Sequence, residues 1–320
     1  MPLRIGLIGA GSMGSLHARV LSGGDSTELA WIADPDRVTG ERLAGRFGTK
    51  WLPEPELVGI DAAVIAAPTQ FHHAYAMAIV DAGVPLLVEK PIAETLADVV
   101  EIIEASSRQG TVLMCGLLER FNPAVRTAAE IAREPLHVAT VRHSPYAERI
   151  RTGVASDLLI HDIDVVVRLM GEAPAALSGH YGYFEPRSTH GSEDVAEATL
   201  RFSQGQIASL SVSRIAQHKI RSLTIGELGR LIEVDLLRQT ITIYRHVQES
   251  GFDEDAGYTQ QTIIEIPVVR YPGEPLQLQL SHFVDLIEGR ADPEAERETL
   301  LLPHSLIDQI ASSARQSGRR

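Results

Sequence analysis

Three side chains in this chain have the type and spacing needed to move a proton. Asp157 and His161 lie four residues apart in Asp157-Leu158-Leu159-Ile160-His161-Asp162-Ile163-Asp164. The run predicts a helix, on which a carboxylate and an imidazole at i and i+4 share one face, with Asp164 near it. A carboxylate beside an imidazole fixes its tautomer and stabilises its protonated form, the arrangement of a general base. The same pattern also suits a histidine that only packs. It suits a metal less well, because no further ligands with recognisable spacing accompany it, and no metal is expected. Lys90 is the third, in Glu89-Lys90-Pro91 directly after the apolar run Leu86-Leu87-Val88. On a parallel strand Lys90 emerges at the carboxyl edge of the sheet, where ligands bind; otherwise it is one more solvated lysine.

A second group of residues suits phosphate rather than protons. Leu3 to Ile8 is a short apolar run that feeds into Gly9-Ala10-Gly11-Ser12-Met13-Gly14, and a further apolar run, Leu29 to Ala33, ends on Asp34. Strand, glycine turn, helix, strand and terminal acid form the dinucleotide fingerprint. Gly9 makes the tight turn, Gly11 lets the backbone approach a pyrophosphate, and Gly14 lets helix and strand pack closely. The pyrophosphate would sit on the positive end of the helix that begins near Ser12. Asp34 is placed to accept both ribose hydroxyls and to repel a 2′-phosphate, which favours NAD over NADP. Arg37 pulls the other way, since a guanidinium there can grip a phosphate or stack on adenine. The plain alternative for Asp34 is the start of the turn Asp34-Pro35-Asp36.

The elements that must hold these groups change character near residue 120. Before it, buried apolar runs (Ala62 to Ala66, Pro85 to Val88, Val112 to Leu117) alternate with helical stretches (Asp36 to Arg46, Phe71 to Ala82, Thr95 to Ser107). Continuous apolar strands between helices predict a parallel sheet covered on both faces. Beyond it, a helix follows Asn122-Pro123, a strand covers His137 to His143, and a helix covers Asp157 to Met170. Runs from Ala176, Val195, Gln206, Arg221, Leu231, Thr240 and Thr262 then read as strands with short links, predicting an antiparallel sheet. Helices at Pro275 to Glu288 and Pro303 to Gln316 follow, and the tail Gly318-Arg319-Arg320 is expected to fray. The division expected is residues 1–120 and 121–320.

Composition excludes some partners. Net charge is −13 with no basic cluster, so neither nucleic acid nor an anionic membrane is expected. The single cysteine, Cys115, rules out an intramolecular disulfide and fits a reducing compartment; it reads as a buried strand thiol. No apolar stretch reaches the length of a membrane span, and the first residues already read as strand rather than signal peptide. A cytoplasmic protein is expected.

Taken in order, Gly9 to Gly14, Glu89-Lys90-Pro91, Gly116 with Arg120-Phe121-Asn122-Pro123, and Asp157 through His161 to Asp164 resemble the glucose–fructose oxidoreductase / inositol dehydrogenase (Gfo/Idh/MocA-type) family over essentially the whole chain. The resemblance implies an N-terminal Rossmann domain. It implies a C-terminal α+β domain on an open, mostly antiparallel sheet, often used between subunits of a homo-oligomer (dimer or tetramer). It implies cofactor contacts by Ala67, Pro68, Thr69, His72 and Glu89, and a catalytic set of Lys90, Asp157 and His161. Leu159 departs from the family, where many members have Gly, and bears on the pocket's shape.

Glu119 to Val125 and His161 to Asp164 are similar to members that oxidise UDP-N-acetylglucosamine at its 3-hydroxyl. That likeness implies substrate contacts by Arg120, Asn122, Arg149 and His161, and a diphosphate would need cations such as Arg142, Arg149 and Arg151 unless these only line a solvated loop. The activity implied is reversible hydride transfer between a secondary hydroxyl of a sugar, sugar nucleotide or cyclitol and a nicotinamide. A regulator of the same fold that senses a dinucleotide without chemistry is the competing reading. Such a protein has no need of Lys90, Asp157 and His161 together.

Overall fold

The computed structural model describes residues 1–148, 152–188, 191–249 and 259–317. Its first compact unit comprises Met1–Leu118 and Pro275–Ser305, its second Glu119–Glu274 and Leu306–Arg320. A single division at residue 120 therefore lacks the return: the chain comes back to the first unit at Pro275 and leaves it again inside its last helix.

The first unit opens with β1 (Leu3–Ile8), α1 (Ser12–Leu21), β2 (Thr27–Ala33), α2 (Arg37–Phe47), β3 (Lys50–Leu52), β4 (Ala62–Ile65), α3 (His72–Asp81), β5 (Leu86–Val88), α4 (Leu96–Gln109) and β6 (Leu113–Cys115). The strands are all parallel in the order β3-β2-β1-β4-β5-β6. That is the doubly wound dinucleotide order, and its reversal between β1 and β4 creates the ligand crevice at the strands' carboxyl ends. Ile5, Leu7, Val64, Ile65, Leu87 and Val88 are all almost fully buried. A strand covered on both faces has no polar side to alternate with, which is why these runs read as unbroken apolar sequence. The short β3 carries no comparable pattern and was not expected.

The second unit begins with α5 (Pro123–Ile131), β7 (His137–His143) and α6 (Ile160–Met170). It continues with β8 (Ala176–Gly182), β9 (Val195–Arg201), β10 (Ile207–Ser213), β11 (Ile220–Glu227), β12 (Arg230–Asp235), β13 (Thr240–Glu249) and β14 (Thr259–Glu265). Its sheet runs β14-β13-β12-β11-β7-β10-β9-β8. All neighbours are antiparallel except β7 and β10. The exception has a topological cause: α6 carries the chain from β7 across to β8, and β9 and β10 then fold back into the gap. Burial alternates along these strands, as in Ala196, Ala198 and Leu200 or Ala208, Leu210 and Val212. One face is thus packed and the other is not.

The chain ends with α7 (Pro275–Ile287), α8 (Pro293–Glu298) and α9 (Leu301–Ser317). Helix α8 was not foreseen; its cap is Asp292, which accepts from Glu294 and Ala295. Its buried Arg297 donates to Ser106 Oγ and Thr111 O, both at 3.0 Å, and so ties the returning segment to α4. Among the described residues no helix is long and apolar enough to cross a membrane.

Buried ion pairs hold α6 in the second unit. Arg120 grips Asp164 with two bonds, 2.7 and 2.6 Å. Arg142, inward-facing on β7, reaches Asp162 at 2.6 Å and Glu119 at 2.7 Å. Burial alone would push the Glu119 carboxyl up, but Arg142 and Arg221 beside it bring it below the ordinary carboxylate value. Burial works against the Arg142 charge, and Asp162 and Glu119 more than offset it, raising its pKa. Removing Arg142 leaves two desolvated carboxylates with only the more distant Arg221, so Arg142→Leu should cost about 3–5 kcal/mol in chemical denaturation, whereas replacing Arg142, Asp162 and Glu119 together by apolar residues should cost much less. A single variant as stable as wild type would show that the pair is not what anchors α6.

Candidate active site

In the first unit the glycine turn is built as a cradle. Gly9 has φ +102°, and a Cβ there would lie 2.6 Å from the Ala66 carbonyl oxygen. A Cβ on Gly14 would run into the carbonyl oxygen of Gly9, whereas one on Gly11 would meet nothing within 4 Å. Two glycines are therefore required by the protein's own packing, and Gly11 leaves space free of protein. It is also the N-cap of α1 and has no side chain to bind the first-turn N–H groups. Those donors, over Ser12 and Met13, suit an anion. The carboxylate of Asp34 stands over the turn, accepting from Ala10 N at 2.7 Å and Asp36 N at 2.8 Å. These bonds fix its orientation and leave lone pairs for ribose hydroxyls. The residues fit a dinucleotide.

Arg37 is exposed and pairs along its own helix. Its Nε donates to Glu41 at 2.9 Å, and its guanidinium lies 5.7 Å from the centre of the Trp51 ring. Trp51 in turn donates to the Asp34 carbonyl oxygen at 3.0 Å. This tryptophan was not singled out from sequence, since a lone aromatic on a three-residue strand gives no signal.

Ala67, Pro68 and Thr69 follow β4, and Lys90 follows β5, all at the carboxyl edge of the sheet. Two residues expected at the cofactor in this region have bonds within the protein. His72 is 1% exposed, and both its ring nitrogens face backbone carbonyl oxygens, Pro91 O at 2.9 Å and Ala67 O at 2.8 Å. Glu89 is buried, and its carboxylate turns inward to His17 Nε2 at 2.8 Å. Their polar atoms serve the protein interior.

In the second unit Asp157 and His161 lie on one helical run that starts with a π-helical turn, Ala155–Leu159, and continues as α6. The Ile160 N–H bonds to Ala155 O, the i→i−5 pattern that recurs at functional sites. Residue 193 satisfies the run's first donors from another segment: Val154 N donates to its carbonyl oxygen at 3.1 Å and Ala155 N to its carboxylate at 2.7 Å. A side chain at Gly153 would collide with that carboxylate. Burial pushes the Glu193 carboxyl up, partly offset by the Ala155 N–H. Asp157 is 3.9 Å from Nη2 of the buried Arg214, which also binds Thr152 O. Sequence reading missed Glu193 and Arg214, because they come from loops and strand ends far along the chain. Leu159 is fully buried and packs in the core.

Arg120 and Asn122, expected at a substrate, make bonds inside the second unit. Arg120 holds Asp164. Asn122 caps α5 through Ala124 N and donates to Glu119 and to Leu236 O, each at 3.1 Å. Arg142 is likewise occupied, and neither in a solvated loop nor open to a diphosphate. Arg149 and Arg151 lie outside the described residues, as does the tail from Gly318.

Residues 3–117 match the GFO_IDH_MocA model, described as an oxidoreductase family with an NAD-binding Rossmann fold, and residues 134–232 match the GFO/IDH/MocA C-terminal domain. The chain is 30% identical to inositol 2-dehydrogenase 2 of Paenarthrobacter aurescens over 97% of its own length and 95% of the relative's. It is 27% identical to UDP-N-acetylglucosamine 3-dehydrogenase of Acidithiobacillus ferrooxidans, over 76% of this chain and 77% of that one. A solved structure of the enzyme of that name and organism superposes with a TM-score of 0.84 at 23% identity, covering 98% of both chains. The scyllo-inositol 2-dehydrogenase (NAD(+)) of Bacillus subtilis is 27% identical, over 91% of this chain and 88% of the relative.

The two glycines should separate by experiment. Gly14→Ala should lower thermal stability through backbone collision, while Gly11→Ala should stay within about 1 kcal/mol of wild type and bind NAD at least about tenfold more weakly, as titrated calorimetrically. Unchanged NAD affinity in Gly11→Ala would remove the pyrophosphate from this turn.

Proposed function

The chain belongs to the GFO/IDH/MocA oxidoreductase family, and from that membership we propose that it oxidises a secondary hydroxyl of a sugar, sugar nucleotide or cyclitol with NAD, reversibly. It is an NAD(P)-dependent oxidoreductase of CH–OH groups. NAD, when bound, accepts the hydride at its nicotinamide, and the protein must manage one proton and hold the carbinol.

His161 takes the hydroxyl proton, for which an imidazole's ordinary pKa of about 6.5 is suited. Asp157 orients His161 from one turn before it. Lys90 donates to the alkoxide as charge develops, a role akin to an oxyanion hole. The observation that carries this reading is the position of Lys90 at the carboxyl end of a parallel strand, in a chain whose second unit holds Asp157 and His161 on one helical run. The substrate class rests on relatives named for inositols and for UDP-N-acetylglucosamine. NAD rather than NADP is supported by Asp34 and by the pairing of Arg37 with Glu41. A cytoplasmic homo-oligomer using the open sheet face completes the reading.

A panel of myo-inositol, scyllo-inositol, glucose and UDP-N-acetylglucosamine with NAD and NADP, followed at the NADH absorbance band, tests the substrate class. On whichever member is oxidised, Lys90→Ala should keep NAD affinity within about threefold and lower kcat by about 10²-fold or more. Near-normal turnover in that variant would defeat the assignment, and a chain that bound NAD yet oxidised none of the four would favour the sensor.

A further inference from the structure

The turn that carries Lys90 is held by three buried imidazoles from three separate elements of the first unit. His17 on α1 binds the Glu89 carboxylate at 2.8 Å. His72, the first residue of α3, faces Pro91 O at 2.9 Å. His304, in the first turn of α9, accepts from Ile92 N at 3.1 Å. Their exposures are 3%, 1% and 6%, and Ile92 itself is fully buried. A buried polar ring costs free energy unless it is hydrogen-bonded, and apolar side chains would fill the same space without that demand. Three such rings on four consecutive residues, Glu89 to Ile92, are spent on holding backbone and carboxylate in place.

The partners of His304 determine its form. The Leu300 carbonyl oxygen, 2.7 Å from Nδ1, can only accept, so Nδ1 carries the hydrogen. The Ile92 N–H can only donate, so Nε2 presents its lone pair. His304 is therefore a directed link: one nitrogen is anchored to its own helix, and the other holds the residue two beyond Lys90. His72 makes a second link, since its other nitrogen faces Ala67 O at 2.8 Å in the loop after β4.

We propose that His304, with His72, is a positioning residue for hydride transfer. The two rings hold the backbone at Pro91 and Ile92 and thereby set where the Lys90 ammonium projects from the sheet edge. His304 acts through Lys90 and touches no reacting atom. The proposal rests on the reading of Lys90 as a catalytic residue. It brings the returning C-terminal segment, from which no chemistry was expected, into the site's construction.

The test is a double-mutant cycle in the full-length protein, using the panel substrate that wild type oxidises. His304→Phe keeps a ring and removes the acceptor; it should lower kcat by about 10–100-fold while NAD affinity stays within about twofold. His304→Gln, whose amide oxygen can accept from Ile92, should recover most of that loss. In a Lys90→Ala background His304→Phe should cost nothing further. Additive losses, or no rescue by glutamine, would overturn the proposal. If Lys90→Ala itself were fully active, the catalytic reading would fail instead, so the two failures are distinct. A readout without substrate is the acetylation rate of Lys90 by acetic anhydride relative to Lys50, followed by peptide mass spectrometry. The ratio should change several-fold in His304→Phe, or in His304→Leu should the phenylalanine variant not fold, and stay near wild type in His304→Gln; an unchanged ratio in the variant that lacks an acceptor would overturn the proposal.

Discussion

Charge buried away from water must be compensated on the spot, and that constraint organises the second unit. Helix α6 carries Asp162 and Asp164 on its inward side, where a buried carboxylate is costly without a cation in bonding distance. Arg142 from β7 and Arg120 from the turn before α5 supply those cations, and Glu119 and Asn122 close the remaining valences. Such pairs add little to net stability compared with apolar packing, but they tolerate few alternative geometries. A helix held by bidentate guanidinium contacts cannot slide or rotate without breaking them. Asp157 and His161, on the run leading into the same helix, inherit that fixed frame.

The first unit follows a different logic. Its site is made by where parallel strands end, so backbone rather than side-chain charge does most of the positioning. Gly9 and Gly14 are required by collisions with the protein itself, whereas Gly11 is open. Asp34 is oriented by two backbone N–H groups before any ligand is considered. Preorganisation of this kind spares a ligand the cost of ordering the residues that bind it.

What sequence revealed divides along the same line. The parallel sheet, the glycine turn, the strand-end lysine and the Asp157–His161 pair were legible because each is local: a period, a spacing or a turn encodes it. The second sheet's strands were also legible from alternation, but the parallel β7–β10 pair was not, since strand direction depends on where a distant crossover lands. The run Arg120-Phe121-Asn122 was recognisable as a motif, but its bonds to Asp164 and Leu236 O were not legible in it. A polar residue in such a motif looks the same in sequence whether it faces a ligand or a buried partner such as Asp164 or Leu236 O. The internal partners of His72 and Glu89 were hidden for the same reason. Glu193 and Arg214 were invisible because their partner is the start of a helix tens of residues earlier in the chain.

The discontinuity of the nucleotide unit has a consequence for synthesis. Phe283 and Arg297 are buried in that unit, yet they follow the entire second sheet in the chain. A ribosome that has released only the first six strands has made a sheet whose α1 and α4 surfaces still lack α7 and α8. The early product must wait, with apolar surface uncovered, while the intervening residues emerge and fold. The half begun first is thus completed only after the whole second sheet has been made.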